Sequence, residues 1–414
     1  MKRTLILASC VACGGGESPT PPCPVDLPAG PIFVHAIGNS VVVFHDLAGS
    51  VLSSVETDVS GEAVGTVSAC GAVTVVEDRS HLFTVTQVQP GENVDLRAVT
   101  APTGGTARQI TIDFPTVAGA TSYEFRPGGA RDGCSCPATV TSTSPTVMIV
   151  EACCVALDST TAITAIASGP STFTYASLER VSVPELSPNR ASIAAWTTET
   201  ATIQLSVADI PAASWTALME VTQFSGAIAM DSVAVTQVDA PGVVVLPRLG
   251  DHVVTSAELD DPDTGARYFV SRSDPAPLPP SFALPLADFA PQVTSVTAYV
   301  ADPARPIINW TTSRPTTDET AIAVGLALFD GSWTIVAPPD QPGGIRYPDL
   351  PEEVRQTMEV TAASVDIIFT ATMPAYADAH RQPRALLLSR PAGFYPALAT
   401  GVLHRLSRSG PFAP

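Results

Sequence analysis

The chain has 414 residues, 45% hydrophobic but only 6% aromatic, and its 40 acidic and 21 basic side chains leave a net charge of −19. That length suits about three domains, or four small ones, each with a core of its own. The acidic balance speaks against nucleic acid, which needs a basic face; the single lysine, Lys2, leaves a processed chain no P-loop, Schiff-base or Ser–Lys chemistry.

Residues 1–12 read as an export signal. Lys2 and Arg3 precede an apolar stretch, Thr4 to Ser9, far too short to span a bilayer. Leu7-Ala8-Ser9-Cys10 and Ala12-Cys13-Gly14-Gly15-Gly16 follow. Both resemble the cleavage site of bacterial lipoproteins, which implies a lipid on Cys13 or, alternatively, on Cys10. Parity favours Cys13, because Cys10 then leaves with the signal and six cysteines remain, an even number suited to an oxidising compartment. An ordinary secretory signal is the plainer alternative. Residues 13–30 are rich in Gly, Ser and Pro and read as a flexible tether.

The six remaining cysteines suggest three disulfides. Cys134 and Cys136 pair with Cys153 and Cys154 in one of two ways, and Cys23 pairs with Cys70. Four thiolates could instead hold zinc, but C-x-C and C-C lack the usual C-x₂-C knuckle.

The rest of the chain is written in short β-branched runs between Gly, Pro, Asp and Asn turns. Ser40-Val41-Val42-Val43-Phe44, Ala72-Val73-Thr74-Val75-Val76, Val243-Val244-Val245-Leu246 and Asp366-Ile367-Ile368-Phe369 are examples. This pattern predicts an all-β protein of tandem sandwiches. The one helix expected is Pro351 to Met358, with Pro first and two acids in its opening turn. Ile193 to Thr198 recurs as Ile307 to Thr312, Ser214-Trp215-Thr216 as Ser332-Trp333-Thr334, Leu246-Pro247 as Tyr347-Pro348, and Phe269 to Arg272 as Leu387 to Arg390. Four matches in order suggest two tandem copies, with the four tryptophans as core anchors.

Ile110 to Pro115 followed by Gly119 to Phe125 resembles strands B and C of fibronectin type III domains. Trp196 and Trp310 stand where that family usually has its B-strand Trp, and Phe114 takes that place in the second domain. Asp46 to Ser50 with Thr57 to Ala63 resembles the carboxypeptidase regulatory-like sandwich. The expected divisions are 31–100 for the regulatory-like sandwich and 101–184 for a fibronectin III-like sandwich with disulfides. Two Ig- or fibronectin III-like sandwiches follow at 185–274 and 290–392, with a Pro-rich linker at 275–289 and a C-terminal tail at 393–414. Neither family supplies catalytic residues.

No HExxH, GxSxG, GxGxxG or Cys–His signature is present, and no cofactor is expected. Asp260, Asp261 and Asp263 form a weak calcium candidate, though Asp, Pro and Gly also make ordinary turns. The segment Met373 to Arg384 carries Tyr376, His380, Arg381 and Arg384, a mixture suited to stacking on and hydrogen-bonding a sugar or peptide. The sequence therefore suggests a lipid-anchored cell-envelope protein, on the bacterial outer membrane or cell surface, that meets a glycan or protein partner. The alternatives are a purely structural envelope lipoprotein and an enzyme whose site is invisible in sequence.

Overall fold

A computed structural model describes residues 27–77, 80–97, 108–127, 140–142, 146–151, 160–170, 172–182, 190–210, 216–225, 228–237, 241–247, 250–262, 265–299, 302, 305–340, 344–354, 360–370, 373, 375–388 and 403–412. They form an all-β chain of sandwiches, each with seven strands.

The first sandwich holds β1 (Gly30–His35), β2 (Val41–His45), β3 (Val51–Glu56), β4 (Glu62–Val67), β5 (Gly71–Glu77), β6 (His81–Val88) and β7 (Asn93–Asp95). A small sheet in the order β4-β1-β7 faces strands in the order β3-β2-β5-β6. The second holds β8 (Arg108–Asp113), β9 (Ser122–Pro127), β10 (Val140–Ser142), β11 (Thr146–Glu151), β12 (Thr160–Gly169), β13 (Thr172–Ser182) and β14 (Arg190–Ser192). Its sheets run β11-β8-β14 and β10-β9-β12-β13.

The third holds β15 (Thr200–Ala208), β16 (Thr216–Ser225), β17 (Ile228–Gln237), β18 (Gly242–Pro247), β19 (His252–Asp260), β20 (Arg267–Pro275) and β21 (Ser281–Pro285). In all three, the seventh strand returns to lie parallel beside the first. The fourth places its extra strand at the start. It holds β22 (Val293–Tyr299), β23 (Ile307–Thr312), β24 (Ala321–Leu328), β25 (Gly331–Ala337), β26 (Gly344–Arg346), β27 (Val360–Thr370) and β28 (Leu403–Phe412), with β22 antiparallel to β23.

The repetition thus lies in strand order more than in the sequence matches. Ile307 to Thr312 is β23, at the centre of a three-stranded sheet, and Trp310 is buried there as a B-strand Trp should be. Ile193 to Thr198 instead follows β14 in the second sandwich. Trp196 packs there on Phe114 and Tyr123, and its indole N–H donates to the Pro115 carbonyl at 2.8 Å. The second sandwich therefore reaches past residue 184.

Two further segments differ from expectation. Ser281–Pro285, read as linker, is a strand because Phe282 and Leu284 alternate inward against β15. The presumed tail contains β28, which pairs with both β20 and β27. The expected helix begins as a turn at 352–354, and its continuation at 355–359 lies outside the described residues.

The large sheets of sandwiches one, three and four are continuous. Twelve strands run β17-β16-β19-β20-β28-β27-β24-β25-β6-β5-β2-β3. Sandwich three joins four through antiparallel β20 and β28, and four joins one through parallel β25 and β6. Around the latter seam both faces are buried. Val42, Phe44, Val75 and Val85 lie in the core of sandwich one, whereas Val43, Val76 and Leu82, on the opposite face, join the core of sandwich four. Alternation along each strand sends neighbours to opposite faces, so strands covered on both sides read as continuous apolar runs. Gly65 makes room for Phe44: a Cβ there would sit 2.2 Å from the ring.

Candidate functional site

Between β27 and β28 the chain forms two short helices, α1 (Tyr376–Ala379) and α2 (Pro383–Leu388). This strap contains the residues expected on a presented loop, and the structure corrects that expectation. Tyr376, Ala379 and Leu386 are buried in the core shared with sandwich one. The apolar positions 376, 379 and 386 all fall on one side, so burying them draws the polar residues between them inward as well.

The Tyr376 hydroxyl lies 2.8 Å from the Thr86 carbonyl and 3.0 Å from that of Val336, at the seam of β6 and β25. Burial pushes its phenol well above the usual tyrosine range. His380 is also buried; Nδ1 is 2.9 Å from the Tyr376 carbonyl and Nε2 is 2.8 Å from Glu92 Oε2. Arg384 pairs closely with Glu77 and lies over the Phe83 ring, 4.7 Å from its centroid. Burial lowers the Arg384 pKa against the opposing pull of Glu77. Arg381 is about half exposed and sits 3.6 Å from Glu92. The four residues do come together, but they face sandwich one.

A second polar group crosses the opposite face of the seam. Trp333 donates its indole N–H to Thr84 Oγ1 at 2.8 Å; Thr84 and Thr74 hydroxyls are 2.8 Å apart; Thr74 Oγ1 is 2.9 Å from His45 Nε2. All four side chains are buried. Burial lowers His45 from 6.5 to about 4, against the opposing pulls of Asp46 and Asp349. Its neutral ring can accept the Thr74 proton, so the donors can run in one direction from Trp333 to His45. Beside it, the loop after β2 docks on sandwich four: Arg305 Nη2 donates to the Ala48 carbonyl at 2.6 Å and Asp349 N–H to that of Gly49 at 2.8 Å.

The remaining sequence candidates are dispersed. Asp260 pairs with Arg267 at 3.2 Å, and Asp261 is buried in the turn it closes with Gly265 and Ala266. Asp263 lies outside the described residues. Among the described residues, no three His, Cys, Asp or Glu converge on one point. The Thr57–Ala63 motif forms a turn tied to the segment after β1, where the Thr57 hydroxyl accepts the Ser40 N–H at 2.9 Å and donates to the Ile37 carbonyl at 3.0 Å. Asp58 Oδ1 accepts N–H groups of Ser60 and Glu62 and the Ser60 hydroxyl, led by the hydroxyl in holding the carboxyl below its usual range. Cys70, at φ 62°, is disulfide-bonded. Cys10, Cys13, Cys23, Cys134, Cys136, Cys153 and Cys154 lie outside the described residues, as does Trp215. No described helix is long and apolar enough to cross a membrane.

Sequence reasoning missed Glu92, Glu77, Thr74 and Thr84. Glu92 and His380 are 288 residues apart, so no local spacing joins them. The only signal is indirect: polar Thr74 interrupts the apolar run Ala72 to Val76, and polar Thr84 stands between apolar Phe83 and Val85.

No family model and no curated protein matches the sequence. Solved structures do show a likeness. The FN1-FN3 domains of chicken CNTN1 are 9% identical, covering 64% of this chain and 92% of theirs, with a TM-score of 0.15. A tetra-tandem repeat in the extending region of a large adhesion protein is 12% identical, covering 82% of this chain and 95% of its own, also at 0.15. At that score neither bears on how these sandwiches are arranged. The strand orders themselves define the fold, which is all-β and built from tandem β-sandwiches.

Proposed function

We propose that this chain is a non-enzymatic, lipid-anchored envelope protein that holds a rigid array of sandwiches toward a protein or glycan partner. The observation that carries this reading is the twelve-stranded sheet. Backbone pairing across both seams makes three sandwiches one body, as a display scaffold requires and a string of independent modules does not. The polar groups at the strap and at His45 support the same reading, since they are occupied in holding elements together.

With the strap tied down, the contact surface moves to the outer face of β4-β1-β7. Phe33 and Val64 are direct cross-strand partners there, 48% and 52% exposed. Beside them His35 lies 3.9 Å from Glu62, and Asp95 is paired with Arg97. An exposed aromatic and aliphatic pair with a polar rim is the usual make-up of a contact patch.

Anchoring is tested by fractionating cells that express Cys13→Ser or Cys10→Ser. The Cys13 variant should leave the membrane fraction; loss with Cys10→Ser alone would assign the lipid to Cys10. Contact is tested by comparing the full chain with Phe33→Ser on glycan arrays and in binding to whole envelopes. Equal binding by both would remove this face from the proposal.

A further inference from the structure

A sheet edge left open is a template for another strand, and folded proteins guard such edges with charge, irregular pairing or brevity. Most edges here are guarded. β3 pairs irregularly with β2 and ends in Glu56, β4 carries Glu62, β17 carries Asp231, and β7, β10, β14 and β26 have three residues each. β18 is different. It is the outer strand of β18-β15-β21, pairs with β15 without a register shift, and reads Gly-Val-Val-Val-Leu before Pro247. Among the described residues, no strand is hydrogen-bonded to its far side.

The face beside this edge is apolar and uncharged as well. Val244 and Leu246 turn into the core of sandwich three, while Val243 and Val245 remain 58% and 45% exposed. Across the sheet Val245 faces Thr202, and Val243 faces Gln204, which in turn faces Ser281. Among the described residues, no exposed side chain of this sheet is charged, although the chain carries −19. The matching small sheets of sandwiches one and four expose Glu62 and Arg346. Like net charge keeps copies of a protein apart, so an uncharged face is where two copies of this chain can approach.

We propose that β18 pairs edge to edge with β18 of a second copy, closing a two-fold dimer in which the two three-stranded sheets become one. The run is self-complementary. Antiparallel pairing keeps opposite residues on one face. With Val244 opposite its own copy, Val243 of each chain meets Val245 of the other on the outer face, and Gly242 meets Leu246 on the inner face. Asp239 precedes the strand in sequence and Arg248 follows it. An antiparallel second copy therefore sets the acidic end of one strand against the basic end of the other, where a parallel one would set like against like. The pairing is isologous and uses up the edge, so association stops at two. A ladder of about five residues is small beside the roughly 800 Å² per partner of a stable complex, so the dimer is weak and fills where copies are crowded. It lies on sandwich three, apart from the Phe33 face, and goes beyond the contact proposed there.

The experiment uses the full chain with Cys10→Ser and Cys13→Ser, so that no lipid drives association. Its mass by light scattering and sedimentation should rise toward twice that of the monomer between about 10 µM and about 1 mM, and go no higher. Val243→Glu with Val245→Glu sets acids directly opposite and should weaken association about tenfold or more. Both positions are exposed, so the fold is kept. Val243→Lys with Val245→Lys should weaken it likewise, and mixing the glutamate and lysine variants should restore a mixed dimer. Phe33→Ser should leave association unchanged. A chain that stays monomeric across the range overturns the proposal. So does association that the paired glutamates leave intact, failure of the two variants to combine, or loss of the dimer in Phe33→Ser, which would move the contact to sandwich one.

Discussion

The two seams of the long sheet are built differently. At the seam of sandwiches one and four, five residue pairs run parallel from Ser332 and His81 to Val336 and Val85, with cores packed on both faces. At the seam of three and four, six pairs run antiparallel, and one rung reads Asp260, Arg267, Arg408, Asp366 across four strands. Parallel pairing is found where both faces are covered, whereas antiparallel pairing tolerates a wet face. The first seam therefore draws its stability from packing, and the second from its backbone ladder and from charges that water partly screens.

The largest way to separate them is Trp333→Ala. Trp333 is fully buried, stacks edge-on against Tyr347 at 4.8 Å and bonds Thr84 across the seam. Its loss should cost about 3–5 kcal/mol in a denaturant titration, as for other buried aromatics truncated to Ala. A cost under about 1 kcal/mol would mean that the seam does not depend on this packing.

Acid should reach the same seam next. The folded-state pKa of His45 lies below its ordinary 6.5, at about 4. A histidine depressed in this way contributes stability that is full above the ordinary value and is lost as pH falls from 6.5 toward about 4. The full loss is about 3 kcal/mol. His45→Gln should remove that slope from stability measured between these limits; an unchanged acid limb would assign it to other groups.

A backbone test is smaller and more local. The Ser332 N–H donates to the Ser80 carbonyl at 2.8 Å, and a Cβ on Gly331 would come 1.7 Å from that oxygen. Gly331→Ala must push β25 from β6 and should cost about 1–3 kcal/mol, in line with overpacked sites. Amide exchange should quicken at Ser332 and Trp333 while Val270 and Ser271, in the other seam, keep their protection. Equal loss in both would show the two seams opening as one unit.

The same contrast explains what could be read from the sequence. Val41 to Phe44 and Val73 to Val76 are legible because strands buried on two faces are almost wholly apolar, Thr74 excepted. In the fourth sandwich Trp310 is buried on β23, as its resemblance to a B-strand Trp implies. The seams were not legible. β28 follows a Pro- and Gly-containing stretch and alternates Leu406, Ser407 and Arg408, which reads as a polar tail until two edges are found to need it. The strap shows the limit most clearly. Tyr376, His380 and Arg384 were singled out for their chemistry, and their chemistry is used, but their partners Glu92 and Glu77 lie in the first sandwich. Residue type revealed that these groups bind something; only tertiary pairing reveals that they bind the chain itself.

The smallest predicted effects lie on the charged rung. Arg408 Nε and Nη2 reach the two oxygens of Asp366 at 2.9 and 2.7 Å, and Asp366 is buried. Arg267 is well exposed and reaches Asp260 at 3.2 Å and Glu258 at 3.4 Å. Arg408→Ala strands a buried carboxylate and should cost about 1–3 kcal/mol. Arg267→Ala gives up exposed pairs worth about 0–1 kcal/mol, and it also relieves the like charge of Arg408 directly opposite, so its net effect should fall near zero. Raising the salt should narrow the gap between the two variants only slightly, because screening acts on the exposed pairs and leaves the buried carboxylate unpaired. Equal costs for the two arginines would mean that burial of Asp366 does not set the energetics of this seam, and its stability would then rest on the backbone ladder of β20 and β28 alone.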